Sequence, residues 1–165
     1  MFLRLGLQCL LISLWIGGGN VALAQTGFAY SDTAFEKGAV HATQGIYFAG
    51  KQLHPKALAA VDSLAEFLNR QPGLLVRISV HVDRNDYPKY EVLAQKPDQQ
   101  QAEALKIYLI EKGIDSFRMV AVGEGFYRPK ATALKSDSLS AKEREAAQKQ
   151  NRRVEITIIG IVPLK

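Results

Sequence analysis

The chain has almost no cysteine. Its 165 residues include a single one, Cys9, and this residue lies in an apolar run close to the N-terminus. The rest of the chain therefore has neither a disulfide framework nor thiol chemistry. The sequence also lacks an internal repeat and a low-complexity tract. Stability must come from the packing of one core, because 165 residues leave room for a single domain.

Histidine is scarce as well, and its positions argue against a metal or catalytic centre. The three histidines, His41, His54 and His81, form no cluster with ligand spacing. His81 and Asp83 could share a metal on one strand face, but no further ligand accompanies them. Ser79 is an ordinary strand neighbour and not an activated nucleophile. We therefore predict a non-enzymatic protein without a metal or a cofactor.

The charge pattern does not indicate nucleic-acid binding. The formal net charge is +5, but the lysines and arginines are scattered and do not alternate with aromatic residues. A mildly basic protein of this kind is well solvated, and it is also attracted to anionic surfaces. Nucleic acid is therefore not expected as a partner.

Residues 1–24 have the pattern of a secretory signal peptide. Arg4 is their single charge, residues 5–16 are an apolar run, and Ala22-Leu23-Ala24 is a small-residue cleavage pattern before Gln25. The alternative of an uncleaved anchor helix is weakened by polar and glycine residues in the segment. Lipid attachment at Cys9 is disfavoured because Leu7-Gln8 are not small residues. The chain is therefore predicted to be exported.

The rest of the chain alternates between strand-like and helix-like patterns. Residues 25–41 have no period and are predicted to be a leader that packs on the domain, and residues 42–49 are a predicted first strand. Pro55 opens a helix with one apolar stripe, and Leu75 to Asp83 alternate as a half-buried strand. Asp98 and Gln101 have the spacing of a capping box at the start of a second helix.

The C-terminal third has a similar pattern. Gly113 is placed to end the second helix, and a third strand is predicted over residues 117–122. Ser140 and Glu143 form a second capping-box pattern, and the run from Asn151 to Ile158 alternates as a strand. The elements predict an α+β fold, a two-layer βαβαββ sandwich with a mixed sheet and helices on one face, over residues 42–165. No strand-rich region that would form a membrane-spanning barrel is found in the sequence.

Four segments together resemble the OmpA-like C-terminal domain, the peptidoglycan-associating module of bacterial envelopes. They are His81-Val82-Asp83, the helix start at Gln101-Ala102, Gly123-Glu124-Gly125, and Asn151-Arg152-Arg153-Val154-Glu155. The family patterns are Gly-His-Thr-Asp, Leu-Ser-x-x-Arg-Ala, Gly-x-Gly-Glu as a turn after the third strand, and Asn-Arg-Arg-Val-Glu. The resemblance covers roughly residues 44–160. It implies noncovalent peptidoglycan binding in the periplasm, associated with the cell wall or the outer membrane.

The resemblance also implies a site for diaminopimelate, whose free amine and carboxylate need an acid and an arginine. Asp83 matches the family acid, whereas Gln101 stands where the family has the arginine. A charge-assisted hydrogen bond contributes about 1.5–3 kcal/mol against about 1 for a neutral one, so this departure predicts a weakened site. The candidates for a replacement cation are Arg84, Lys89, Lys96, Arg152 and Arg153.

Structural roles remain open for these residues. Asp83 could instead cap loop amides or pair with Arg152, Gln101 could serve only as a helix cap, and Arg152 could bridge to strand-end carboxylates. His81 is predicted to lie beside Asp83 on the same strand face. A degenerate module that binds a protein partner in the envelope, and not peptidoglycan, is the alternative function.

Overall fold

The computed structural model describes residues 26–86, 96–130 and 139–163. The predicted signal peptide lies outside these ranges. The regular elements are β1 (Val40–Thr43), β2 (Phe48–Ala49), β3 (Gln52–Leu53), α1 (Leu58–Arg70), β4 (Leu74–His81), α2 (Pro97–Glu111), β5 (Met119–Gly125), α3 (Ala141–Asn151) and β6 (Arg153–Ile161). Short 3₁₀ turns cover Pro55–Ala57, Arg84–Asp86 and Ser116–Arg118. In the described ranges, no helix combines the length and the apolarity needed to span a membrane.

The four long strands form one mixed sheet in the order β1-β6-β4-β5. The C-terminal strand β6 lies inside the sheet and pairs antiparallel with β1 and with β4. The β4–β5 pair is parallel, as expected for two strands joined through the crossover helix α2. The two residues of β2 and the two of β3 form a separate small hairpin.

Helices α1 and α2 cover one face of this sheet and form the core with it. Alternation along β4 and β6 turns their apolar residues towards the helices, where they meet the apolar stripes of α1 and α2. The buried residues that form this layer are Val61, Leu64, Leu68, Val76, Ile78, Val80, Leu105, Leu109, Val154, Ile156 and Ile158. The predicted α+β sandwich is thus confirmed.

The segment before β1 closes one end of the core with aromatic rings. Phe28, Tyr30 and Phe35 surround Phe67 of α1, with ring centroids 4.9–5.6 Å from its ring. A backbone hydrogen bond of 2.9 Å joins Val40 to Thr26 and holds this segment along β1. Residues 26–39 therefore pack on the domain, whereas Val40 and His41, the last two residues of the predicted 25–41 leader, belong to β1 of the sheet.

Two strand boundaries differ from the predicted ones. The first long strand is Val40–Thr43 and not 42–49; Ile46 is buried in the connection that follows it. The third strand begins at Met119, because residues 116–118 form a 3₁₀ turn that leaves the Phe117 ring 78% exposed. It continues through Gly125, so Gly123-Glu124-Gly125 belongs to β5 and is not a turn after it.

The helix ends predicted at Ser140 and at Gly113 are confirmed, and Pro55 opens a 3₁₀ turn that leads directly into α1. Ser140 and Glu143 form a reciprocal capping box at the start of α3. Gly113, at φ +90°, ends α2 in a Schellman arrangement, in which the Ile114 amide donates to the Leu109 carbonyl over 3.1 Å. The predicted capping box of Asp98 and Gln101 is wrong. The helix begins one residue earlier, at Pro97, and its N-cap is Lys96 in the left-handed region.

The first turn of α2 instead forms hydrogen bonds with the outer edge of β5. The Asp98 carboxylate accepts the Gly125 amide over 2.9 Å, and the Gln99 amide oxygen accepts the Gly123 amide over 2.7 Å. A Cβ atom at Gly123 would overlap the Asp98 side chain and the Gln99 backbone nitrogen. These bonds satisfy polar groups of an edge strand that would otherwise be open to pairing with another chain.

We expect Ile156→Ala to destabilise the fold by about 2–5 kcal/mol, because it removes fully buried methylene and methyl groups from the centre of the core. Ile161→Ala is the matched control, since Ile161 is exposed at the end of the same strand. Urea unfolding measures both. Equal midpoints for the two variants would contradict the assigned core face.

We expect Gly123→Ala to destabilise the fold by more than 1 kcal/mol, because the added methyl group forces α2 away from β5. Gly27→Ala is the control, since its Cβ would meet only the Val40 carbonyl at 3.8 Å. Thermal unfolding of the two variants gives the comparison. A Gly123→Ala protein as stable as the control would show that the first turn of α2 can move away from β5 without loss of stability.

Candidate ligand-binding groove

A groove of about 410 Å³ opens where the β2–β3 hairpin, the start of α2 and the start of β6 meet. Its lining is mostly apolar and includes several polar and charged side chains. The lining residues are Ile46, Tyr47, Phe48, Gly50, Lys51, Val82, Asp86, Pro97, Gln101, Arg152, Arg153 and Val154. The groove therefore combines apolar contact area with a small number of charged groups, as ligand sites commonly do.

Gln101 fixes one wall of the groove. Its side-chain amide donates to the Gly50 carbonyl over 2.6 Å and so ties α2 to the β2–β3 hairpin. Gly50 occupies the left-handed region, at φ +64°, which the tight hairpin connection requires. Gln101 therefore lines the groove as expected, but its amide stabilises the hairpin and does not cap the helix.

Asp83 lies behind the groove and not on its surface. It is 2% exposed, and its carboxylate accepts hydrogen bonds from the Asn85 backbone (3.0 Å), the Asn85 side chain (2.7 Å) and the Asn151 side chain (2.9 Å). Burial acts to raise the pKa of Asp83, but these hydrogen bonds and the charge of Arg152 outweigh it and leave the pKa below its usual value. Asp83 thus caps the turn that follows β4.

Arg152 and Asp86 form an ion pair on the groove wall. The Arg152 Nε atom lies 3.0 Å from both Asp86 carboxylate oxygens, and Nη2 lies 2.6 Å from Oδ1. The side chains remain 50% and 30% exposed, so solvent reaches both charges. Hydrogen bonding to Asp86 raises the pKa of Arg152. Asp86 also accepts the Asp83 backbone amide over 3.0 Å, which completes the cap of the Arg84–Asp86 turn.

His81 and Arg153 belong to a buried polar cluster around Glu155. The His81 Nε2 atom lies 3.2 Å from the Glu155 carboxylate, and the Arg153 Nε atom lies 2.7 Å from it. Arg153 also donates to the carbonyls of Asn151 and Arg128, over 3.2 and 3.1 Å. Arg153 borders the groove, but its guanidinium is held by these partners. His81 is not among the residues that line the groove.

Arg84 does not line the groove either. Its guanidinium lies 5.9 Å from the centre of the Phe126 ring, a cation–π distance. The structure thus brings together Gln101, Arg152 and Arg153 of the predicted site residues, with Asp83 behind them. His81 and Arg84 are directed elsewhere. Lys96 is the N-cap of α2 and is not among the groove residues, and Lys89 lies outside the described residues. In the described ranges, no group of three or more His, Cys, Asp or Glu side chains is arranged to hold a metal ion.

Two charged groove residues, Lys51 and Asp86, were not predicted from the sequence. Lys51 follows Gly50 in the hairpin connection, and this glycine was a signal that the chain turns back there. Asp86 stands three residues after Asp83, which is the spacing of a reciprocal cap. Both signals are local, but neither indicates that the two residues line the same groove.

The cluster around Glu155 predicts a pH dependence of stability. The hydrogen bond from His81, together with Arg153, lowers the pKa of Glu155 from 4.5 to about 2 despite its burial. Between about pH 4.5 and pH 2, the unfolded chain therefore binds more protons at this site than the folded one, and stability falls as the pH falls.

We expect the wild type to lose more free energy of unfolding between pH 6 and pH 3 than Glu155→Gln loses, because glutamine does not titrate. Urea unfolding at the two pH values measures the difference. Glu66→Gln, a change at an exposed position of α1, is the control and is expected to follow the wild type. Parallel pH profiles for the wild type and Glu155→Gln would contradict the assignment.

Comparison with known proteins finds similarity to proteins whose names refer to the outer membrane or to peptidoglycan. No family model matches the chain. The chain is 31% identical over 104 residues to the outer membrane porin F of Pseudomonas fluorescens, which covers 63% of this chain and 28% of that protein. It is 30% identical over 98 residues to the peptidoglycan-associated lipoprotein of Buchnera aphidicola, covering 59% of this chain and 54% of that one. The match thus spans 28–54% of the length of these relatives.

Solved structures show the same fold at lower identity. The cell wall anchor of the T6SS from Pseudomonas aeruginosa superposes with a TM-score of 0.57 at 22% identity, covering 73% of this chain and 80% of that one. The OmpA-like domain of FopA1 from Francisella tularensis gives 0.50 at 22%, covering 73% and 71%.

The chain therefore has the fold of the OmpA-like peptidoglycan-associating domains, as the sequence motifs predicted. The names of the porin, the lipoprotein and the anchor refer to the outer membrane, to peptidoglycan or to the cell wall. These names agree with the predicted localisation of the chain in the cell envelope.

Proposed function

We propose that this chain binds peptidoglycan noncovalently, without catalysis, at the groove between the β2–β3 hairpin, α2 and β6. The observation that carries the proposal is the position of the groove. It lies where the end of β4, the first turn of α2 and the start of β6 converge. The resemblance to the OmpA-like motifs gives the ligand acid to the first of these places and the ligand arginine to the second, and the third carries the candidate cations Arg152 and Arg153. The relationship to a peptidoglycan-associated lipoprotein and to a cell wall anchor supports it.

The groove has the chemical character that a peptidoglycan stem peptide requires. Tyr47 and Phe48 offer flat apolar surfaces for the peptide backbone and side-chain methylene groups, and Lys51 and Arg152 offer cations for its carboxylates. Gln101 in place of an arginine removes one charge-assisted bond, and its amide is already engaged with Gly50. We therefore propose a partly degenerate site with reduced affinity.

A protein partner in the envelope is the second candidate function. Three large apolar side chains of α2 and the turn that follows it, Ile107, Ile110 and Phe117, are 40–78% exposed. Exposed apolar residues close together in the chain favour contact with another protein over contact with a polar glycan. If the protein does not bind peptidoglycan, binding of a protein partner replaces peptidoglycan binding as the proposed function.

The test is cosedimentation of the purified protein with diaminopimelate-type sacculi. We expect the wild type to pellet with the sacculi and Lys51→Glu to bind about tenfold more weakly, which corresponds to about 1.4 kcal/mol, because a cation on the groove is replaced by an anion. Lys142→Glu makes the same charge change on the exposed surface of α3 and serves as the control.

Two results would contradict the proposal. A wild-type protein that stays in the supernatant would exclude peptidoglycan binding and favour the protein partner. Equal losses for Lys51→Glu and Lys142→Glu would show that general positive charge, and not the groove, attracts the protein to the sacculi.

A further inference from the structure

We propose that Asp86 and Arg152 are the pair that recognises the zwitterionic amino-acid group of the stem peptide, in the role that the motif resemblance gives to Asp83 and the helix position of Gln101. This inference rests on the proposed peptidoglycan binding and names the residues that determine its specificity. The inference follows from which charged side chains are accessible to a ligand in the groove.

Asp83 cannot serve as the ammonium acceptor without loss of its internal bonds. Its three hydrogen-bond donors, two from Asn85 and one from Asn151, already surround a carboxylate that is 2% exposed. A ligand ammonium would have to displace one of them and enter a buried space. Removing a partner from a buried polar group costs about 1–3 kcal/mol, and this cost would be subtracted from the binding energy.

Asp86 is the acid that faces the groove. It lies three residues further along the chain, lines the groove, and keeps 30% of its side-chain surface exposed. Three donor hydrogens reach the Asp86 carboxylate, from Arg152 Nε, Arg152 Nη2 and the Asp83 amide, as many as reach Asp83. The difference is access, because the exposed side of Asp86 lets an ammonium group approach its remaining lone-pair site from solvent. Asp83 contributes indirectly, because it caps the turn that orients Asp86.

Arg152 is the cation that remains available to a carboxylate. Its contacts with Asp86 use Nε and Nη2, and a guanidinium carries further N–H donors in the same plane. Arg153, by contrast, is held by Glu155 and two backbone carbonyls and is buried. Arg152 is half exposed beside it.

An ion pair on a groove wall is complementary to a zwitterion. The ammonium and the carboxylate of an amino acid share one carbon, so they approach the pair side by side, ammonium to Asp86 and carboxylate to Arg152. The charges then alternate in sign around a closed ring of four groups, and the existing salt bridge need not break. A ligand with only one kind of charge would place a like charge next to one member of the pair, which is unfavourable.

The test compares three probes of similar length by NMR titration of the purified protein. Free meso-diaminopimelate carries both charges at each end, pimelate carries only carboxylates, and cadaverine carries only ammonium groups. We expect meso-diaminopimelate to shift the Arg152 Nε–H resonance and to bind at least tenfold more tightly than pimelate or cadaverine. Equal binding of meso-diaminopimelate and pimelate would overturn the assignment of Asp86.

Matched variants separate the two acids. Asp86→Asn keeps an oxygen for the Asp83 amide but removes the charge, and we expect it to weaken meso-diaminopimelate binding about tenfold. Asp83→Asn makes the same change at the buried position, and we expect less than a threefold loss as long as thermal unfolding shows an intact fold. The reverse order of effects would return the ammonium site to Asp83 and overturn the inference.

Arg152→Gln provides a test that does not depend on either acid. We expect it to weaken meso-diaminopimelate binding and residual pimelate binding alike, whereas cadaverine binding is not reduced. Cosedimentation of the same variants with sacculi separates the two proposals. If the wild type pellets but Asp86→Asn and Arg152→Gln pellet equally well, this inference fails while peptidoglycan binding stands; if the wild type does not pellet, both fail.

Discussion

The antiparallel pairing of β6 with both β1 and β4 is the constraint on which the rest of the structure depends. This C-terminal strand contributes Val154, Ile156 and Ile158 to the centre of the core and bonds a strand on each side. Because its register is fixed on both sides, the residues just before it are fixed too. Asn151 and Arg152 reach the end of β4, where Asp83 and Asp86 lie. The pairing of β6 with β1 and β4 thus determines where the groove lies.

Carboxylates at the end of the sheet divide into structural and accessible ones. Asp83 is enclosed by amide donors and stabilises the turn, and Glu155 is held by His81 and Arg153. Asp86 and Arg152 remain in contact with solvent. A buried, fully bonded carboxylate gives rigidity, whereas an exposed ion pair contributes little stability and is free to exchange partners. The rigid carboxylates of Asp83 and Glu155 therefore position the Asp86–Arg152 ion pair. This pair is itself only weakly held.

Local sequence signals predicted the fold well. The alternation of β4 and β6, the apolar stripe of α1, the cap at Ser140 and the left-handed Gly113 are each determined by neighbours within a few residues. Such features depend on the chain's own periodicity and turn chemistry, and the structure shows them where the sequence placed them.

The predictions that failed concern contacts between segments that are far apart in the sequence. Asp98 has the pattern of a helix cap, but its carboxylate bonds to Gly125, 27 residues away, and Lys96 takes the cap position instead. Gln101 bonds to Gly50, 51 residues earlier in the chain. Neither of these two contacts can be predicted from the local periodicity of the sequence. Local periodicity likewise does not indicate that Arg152 and Lys51 line the groove or that Arg84 contacts Phe126 instead.

The position of β6 also determines when the protein can fold. Val40 in β1 pairs with Thr157 in β6, and β4 has no partner on that side until residues 153–161 are present. Contacts of such long sequence separation form slowly, and partial chains lack a closed core. The domain therefore stays without this strand until residues 153–161 have been synthesised, and a chain that ends before residue 153 leaves the edges of β1 and β4 that face β6 unpaired.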